Sequence, residues 1–313
     1  MMIPTNTLHI ETPTLHHAAL SARLGKKIYL KMECYQPVGS FKMRGIGAMC
    51  QHAVNEGKTR LVSSSGGNAG YAAAYAGNQL GVPVTVVVPD TTSETAQDRM
   101  REQNAEVIVH GNVWNDADEH ARAIVAENDE AAYVHPFDHP AIWDGHATMM
   151  HEASQAMPKP DAVVVAVGGG GLLVGVLQGL HAVGWADVPV LAVETEGAAS
   201  FYEAHQAGEK RRLSQITSIA KTLGALEVTP ELLTWFTRHA ITPVLVSDAD
   251  AVDACLRFAD DARVLVEPAC GAALSLMYRH TQALADYDSV LMIVCGGAGV
   301  TLAQLHAWQE ALL

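Results

Sequence analysis

From residue 28 onward, short runs of consecutive apolar residues alternate with longer segments that are amphipathic or rich in alanine. The short runs predict strands buried on both faces, and the longer segments predict helices lying over them. Their alternation predicts a mostly parallel sheet covered by helices. The strand candidates are residues 28–32 (IYLKM), 60–64 (RLVSS), 84–88 (VTVVV), 106–110 (EVIVH), 162–167 (AVVVAV), 188–194 (VPVLAVE) and 289–294 (SVLMIV). Helix candidates include 68–81, 93–104 and 113–128. One stretch, AVVVAVGGGGLLVGVLQGL at 162–180, is nearly as long and apolar as a membrane span. Six of its residues are glycine and four of those are consecutive, and each glycine in a helix interior costs about 1 kcal/mol relative to alanine. It therefore predicts strand, loop, helix. Pro136, Pro140, Pro158 and Pro160 punctuate the middle of the chain. The strand–helix alternation before residue 136 marks a self-contained four-strand unit, taken as a small domain of 39–136 beside a larger one made of 1–38 and 137–313.

Composition narrows the class. The chain has 313 residues, 49% of them hydrophobic, enough for two domains or one large α/β unit. A formal net charge of -14, uninterrupted by any Lys/Arg block, repels phosphate backbones and anionic lipids. Nucleic acid and membrane surfaces are thus not expected as partners. The five cysteines are odd in number and form no C-x-x-C pair, which reads as reduced thiols in a cytosol. The opening MMIPTNTLHIETPTLHH has no basic region followed by an apolar one, so no signal peptide is expected.

In an open parallel sheet, ligands bind beyond the C-terminal ends of the strands. Three predicted strands run into small-residue loops there: SGGNAG (65–70), GGGG (168–171) and CGGAGV (295–300). Four glycines can turn successive backbone N–H groups toward one point, and the helix beginning near Leu172 adds its positive end, which together suit a phosphate. No G-K-[ST] follows, and Leu173 and Val174 occupy the positions where a dinucleotide fingerprint needs its third glycine. A smaller phosphorylated cofactor is the remaining reading. In GSFKMRG (39–45), Ser40 is a suitable N-cap that would put Lys42 in the first turn of a helix. Desolvation and the helix dipole would lower its pKa, as an imine-forming lysine requires, although a solvated lysine is the simpler reading of that heptad alone. SSSGGNAG offers hydroxyl, amide and N–H donors suited to a carboxylate or phenolic oxygen, and alone it would be an ordinary turn. His135, His139, His146 and His151 invite a metal reading, but Pro136 and Pro140 make the first pair a loop rather than one helix face.

Taken together, these segments resemble the fold-type II, or β-family, pyridoxal-5'-phosphate enzymes, and most closely the catabolic L-serine/L-threonine dehydratases. The resemblance runs through YLKMECYQPVGSFKMRGIG, SSSGGNAGYAAAYAGNQLGVP, PFDHPAIWDGHATM, VGGGGLLVGVLQGL, VPVLAVETEGAASF, ITSIAKTLG, VEPACGAAL and IVCGGAGVTLAQL, essentially the whole chain. It implies an α/β fold of two open, twisted, mostly parallel sheets with flanking helices, similar to the tryptophan synthase β subunit. The larger domain would bind the cofactor, and the small one would carry the lysine and substrate loop. Lys42 would form the internal aldimine with pyridoxal phosphate, with Phe41 beside the ring and Asn68 on its phenolic oxygen. Gly168, Gly169, Gly170, Gly171 and Leu172 would hold the phosphate, and Ser65, Gly66, Gly67 and Asn68 the substrate carboxylate. Glu194, Ala198 and Leu223 would bind a monovalent cation such as K+.

Cys295 would stand beside the pyridine nitrogen, where many relatives have serine and the mammalian-type serine dehydratases have cysteine. A neutral thiol should leave that nitrogen unprotonated and favour expulsion of the β-substituent. Gly66 stands where the dehydratases commonly have alanine and the racemases a proton-delivering serine, which argues against racemisation. The resemblance thus implies β-elimination from L-serine and L-threonine by a cytoplasmic homodimer. Serine racemisation, β-replacement and a non-catalytic pyridoxal phosphate-binding protein are the alternatives. Since the chain stops soon after the Cys295 segment, no regulatory domain and no feedback by isoleucine are expected.

Overall fold

The computed structural model describes residues 7–312, so residues 1–6 and 313, part of the opening segment and the outer ends of the expected large domain, lie outside the described residues. The strands are β1 (Thr14–His16), β2 (Lys27–Lys31), β3 (Arg60–Ser63), β4 (Val84–Val88), β5 (Glu106–Val109), β6 (Ala131–Val134), β7 (Ala162–Ala166), β8 (Val190–Thr195), β9 (Ile241–Val246) and β10 (Ser289–Ile293). The helices are α1 (Ala18–Leu24), α2 (Lys42–Asn55), α3 (Asn68–Leu80), α4 (Glu94–Arg101), α5 (Trp114–Ala126), α6 (Pro140–Ala156), α7 (Gly171–Ala182), α8 (Ser200–Ala207), α9 (Pro230–Leu233), α10 (Asp248–Ala262), α11 (Pro268–Leu274) and α12 (Leu302–Leu312). Two sheets result, in orders β5-β4-β3-β6 and β1-β2-β10-β7-β8-β9. Every pairing is parallel except β1 with β2.

Two compact units contain these sheets. One takes the described residues up to Ile10 together with Gln36–His146, and the other takes Glu11–Tyr35 and the chain from Ala147 onward. Against the expected small domain of 39–136, the first unit also includes the turn after β6 and the opening turns of α6. The apolar wording of β4 follows from its two covered faces. Val87 joins Val62, Ala131, Ala117 and Ala121 in the core under α5. Its neighbours Val84 and Val86 point the other way, against Gly77 and Gly70 of α3. A Cβ on Gly77 would lie 2.0 Å from Val84 Cγ2, so glycine is what lets α3 approach the sheet.

In the second unit β7 is buried throughout, with α7 and α11 packed on it. The glycine-interrupted stretch is strand, loop and helix, and no helix among the described residues is long and apolar enough to cross a membrane. A charged cluster ties β2 into this unit. Lys31, fully buried, donates to Glu152 Oε2 at 2.5 Å and to the Thr12 carbonyl at 2.6 Å. Thr12 in turn donates its hydroxyl to Glu33 Oε1 at 2.6 Å and its N–H to Glu152 Oε2 at 3.2 Å. Such a pair is costly to leave half-made, because the remaining charge stays buried. Lys31→Met is therefore expected to destabilise the protein by about 3 kcal/mol in urea unfolding. A loss below about 1 kcal/mol would show that Glu152 is stabilised without the lysine.

Candidate active site

The first unit builds one half of the predicted set. Helix α2 does begin at Lys42, but the expected Ser40 N-cap is wrong. Phe41 is already helical at φ -51 and ψ -22, with no side-chain cap. The backbone carbonyls of Ser40 and Phe41 accept the N–H groups of Met43 and Arg44 at 3.3 and 3.0 Å, so the hydroxyl has no orphan amide to serve. Lys42 Nζ donates to the Pro136 carbonyl at 2.5 Å and stands 5.2 Å from the centre of the Phe41 ring. Ser63 of β3 pairs with Val134 of β6, so the loop from Ser64 and the turn from His135 leave the sheet side by side. Lys42 reaches that edge.

Within the loop, Gly67 N–H donates to Ser65 Oγ at 3.3 Å and Asn68 opens α3. Ser64 turns inward, donating to Asp118 Oδ1 at 2.9 Å and lying 2.8 Å from the Tyr133 hydroxyl. Burial works against the Asp118 charge, yet hydrogen bonds from Arg122, Tyr133 and Ser64 hold it below the usual carboxylate range. Gly66 has no room for a side chain, since a Cβ would lie 2.4 Å from Thr92 Oγ1. His146 is fully buried against the Phe41 ring, with centroids 5.0 Å apart. Burial, then the charges of Lys42, Arg44 and His9, keep it neutral, and neither ring nitrogen has a hydrogen-bond partner among the described residues.

The other predicted residues belong to the second unit, where β10, β7 and β8 are neighbours. The SGGNAG loop is thus on the other sheet. Met292 pairs with Val164, which brings Cys295 and Gly168 off adjacent strands. Gly170 is left-handed at φ +90, and its Cβ would meet Leu232 Cδ2 at 2.8 Å. A Cβ on Gly168 would lie 3.2 Å from Leu223 Cα, and the Gly169 carbonyl is pinned by Thr229 N–H at 2.9 Å. Helix α7 follows at Gly171, one residue earlier than expected, so a glycine cradle opens onto a helix N-terminus and fits a phosphate.

Cys295 is buried, and a hydrogen bond with Cys270 together with desolvation raises its pKa well above the usual thiol value. It stays a neutral thiol. Glu194 is the penultimate residue of β8, with Oε1 accepting from Phe201 N–H at 2.9 Å and Oε2 from Tyr202 N–H at 2.7 Å. Burial pushes its pKa up to about 8 against those two bonds. Ala198 is buried in the short 3-10 turn Glu196–Ala198 that follows. Residues missed from the sequence are Pro136, whose carbonyl accepts from Lys42, His135, whose Nδ1 accepts the N–H groups of Phe137 and Asp138, and Thr92, which fills the space at Gly66. As punctuation alone the prolines do not reveal this, yet Pro136, two residues after β6, restricts both itself and His135 and so fixes the turn that leaves the strand.

A sequence profile described as "Pyridoxal-phosphate dependent enzyme" matches residues 6–296. The human protein named L-serine dehydratase/L-threonine deaminase is 46% identical, covering 99% of this chain and 98% of its own length. A Dictyostelium discoideum protein named L-serine dehydratase is 43% identical, over 97% of this chain and 93% of its own. Among solved structures, a fungal L-serine ammonia-lyase from Rhizomucor miehei superposes with a TM-score of 0.93 at 39% identity, covering 98% of this chain and 100% of that one.

Gly170→Ala places a Cβ where the backbone is left-handed and Leu232 stands. It is expected to weaken pyridoxal phosphate binding by roughly tenfold, read by equilibrium dialysis. Unchanged affinity would remove this loop from the phosphate contacts.

Proposed function

Because this chain belongs to the pyridoxal-phosphate dependent enzyme family, we propose that it deaminates L-serine to pyruvate and ammonia, and L-threonine to 2-oxobutyrate and ammonia. The observation that carries the reading is Lys42, set at the start of α2 with its amine at the edge where the SGGNAG loop leaves the sheet. The residues fit the cofactor. A Cβ at Gly168 would press on the backbone at Leu223 and one at Gly170 on the Leu232 side chain, so the loop keeps its shape only with glycines, whose backbone N–H groups suit a phosphate. Gly168 to Leu172 would hold its phosphate, with Phe41 beside the ring, Asn68 toward the phenolic oxygen and Cys295 toward the ring nitrogen. When bound, pyridoxal phosphate supplies the electron sink that acidifies the substrate's Cα–H.

The chain's own residues then do the following. Ser65, Gly66, Gly67 and Asn68 bind the substrate carboxylate, and the neutral amine of Lys42 removes the Cα proton as general base. The Cβ–O bond breaks, and the departing hydroxide and the proton taken from Cα together make up one water, so that aminoacrylate from serine, or aminocrotonate from threonine, is released and hydrolyses to the keto acid and ammonia. The neutral Cys295 thiol favours this expulsion over return of a proton to Cα. Gly66 leaves no second acid for the opposite face, since Thr92 fills that space and Ser64 is turned toward Asp118. Glu194 is an ionisable group buried with two amide donors, and a monovalent cation beside it, with Ala198 and Leu223 at the same site, would favour its charged form. Five free thiols suit a reducing cytosol, and we take the working form to be a homodimer.

Purified protein is expected to make pyruvate from L-serine only when pyridoxal phosphate is present. Lys42→Ala should abolish both the product and the visible absorbance of the bound cofactor; retained activity would overturn the role of Lys42. The cation reading has its own test. A carboxyl raised from 4.5 to about 8 in the fold loses stability as pH rises across that interval. Stabilisation by K+ over tetramethylammonium should therefore be larger at the upper end of the interval than at the lower, and absent in Glu194→Gln. Equal stabilisation at both ends would refute the site.

A further inference from the structure

One peptide group, joining Pro136 to Phe137, is engaged at both ends. Its carbonyl accepts from Lys42 Nζ at 2.5 Å, and its N–H donates to His135 Nδ1 at 3.2 Å. His135 Nδ1 also accepts the Asp138 N–H at 2.8 Å, while the Trp143 indole N–H donates to the Phe137 carbonyl at 2.9 Å. The turn is thus fastened from two sides. The His135 ring is held edge-on to Tyr133 and Phe137, with centroids at 6.0 and 4.7 Å. Hydrogen bonds in series polarise one another, so an acceptor drawing on the amide N–H makes the carbonyl of the same peptide a better acceptor.

We infer that His135 is a positioning residue for Lys42. By accepting the Phe137 N–H it orients and strengthens the Pro136 carbonyl as the group that holds Lys42 in its ammonium form, carrying the proton taken from substrate. This rests on the reading of Lys42 given above. An imidazole does this only while Nδ1 is unprotonated. Burial brings the His135 pKa down to about 4, with Arg122 and Lys42 acting in the same direction and Asp138 and Asp118 against it, so Nδ1 remains an acceptor at neutral pH. His146, also neutral, is a further titratable group that feels the Lys42 charge, and the Phe41 ring stands 5.2 Å from Nζ.

Asparagine can accept the same two N–H groups through Oδ1, whereas leucine and alanine cannot. The first readout uses apoenzyme. The rate at which it captures pyridoxal phosphate covalently should rise with pH as the Lys42 amine loses its proton. In His135→Leu and His135→Ala the midpoint of that profile should move to lower pH, because the ammonium has lost support, and in His135→Asn it should return toward wild type. In turnover, the leucine variant should lose roughly three- to tenfold in kcat. Its deuterium isotope effect on α-deuterated L-serine should grow, and its KM should change little. An unshifted midpoint with an unchanged isotope effect in the leucine and alanine variants would overturn the inference. So would a folded asparagine variant that behaves like leucine. Lys42→Ala in the same capture assay separates the two readings. Covalent capture without the lysine would remove the Lys42 assignment itself, whereas loss of capture beside an unaffected His135→Leu would remove only the role of His135.

Discussion

Parallel strands cannot be joined by hairpins, and that constraint underlies everything else in this protein. Each strand must be followed by a crossover that returns the chain to the starting edge, and the crossover is most often a helix. The C-terminal edge of each sheet consequently collects loops and helix N-termini. These are the places where backbone N–H groups lack partners within their own helix. In the first unit that edge carries the Ser64–Gly67 loop and the turn from His135. In the second it carries the glycine cradle, Cys295 and Glu194.

What the sequence made legible follows from the same constraint. Strands covered on both faces are written as unbroken apolar runs, so β4, β7 and β10 could be read almost to the residue. Three strands carry weaker wording. β1 is only three residues long, β6 is half alanine, and β9 contains Pro243, tolerated because β9 is an edge strand. The site divides similarly. The four-glycine loop carries a signal of its own, whereas Lys42 and the SSSGGNAG loop read alone as a solvated lysine and an ordinary turn, and only the resemblance along the chain singles them out. Thr92 and the Pro136 carbonyl carry no signal, since one acts by filling space and the other is a backbone atom that any residue carries. Ser40 misled because a capping residue type matters only where the backbone leaves an amide to cap.

Charge is handled locally. Lys31 and Glu152 neutralise one another in the interior, and Asp118 is surrounded by donors from Arg122, Tyr133 and Ser64. Glu194 has two amides. His135 and His146 go the other way, kept uncharged by burial. The surroundings of Lys42 therefore include two imidazoles that add no positive charge of their own at neutral pH.

The packing of Gly66 against Thr92 also bears on how such a site could change over generations. A hydroxyl-bearing side chain at 66 would need the threonine methyl and hydroxyl to move first, since the two positions compete for one volume. A larger residue at 66 alone collides with Thr92, and a smaller one at 92 alone supplies no group at 66. On the proposed role of Gly66, a drift toward chemistry on the opposite substrate face would have to change both positions together, an epistasis between two residues, one of which has no side chain.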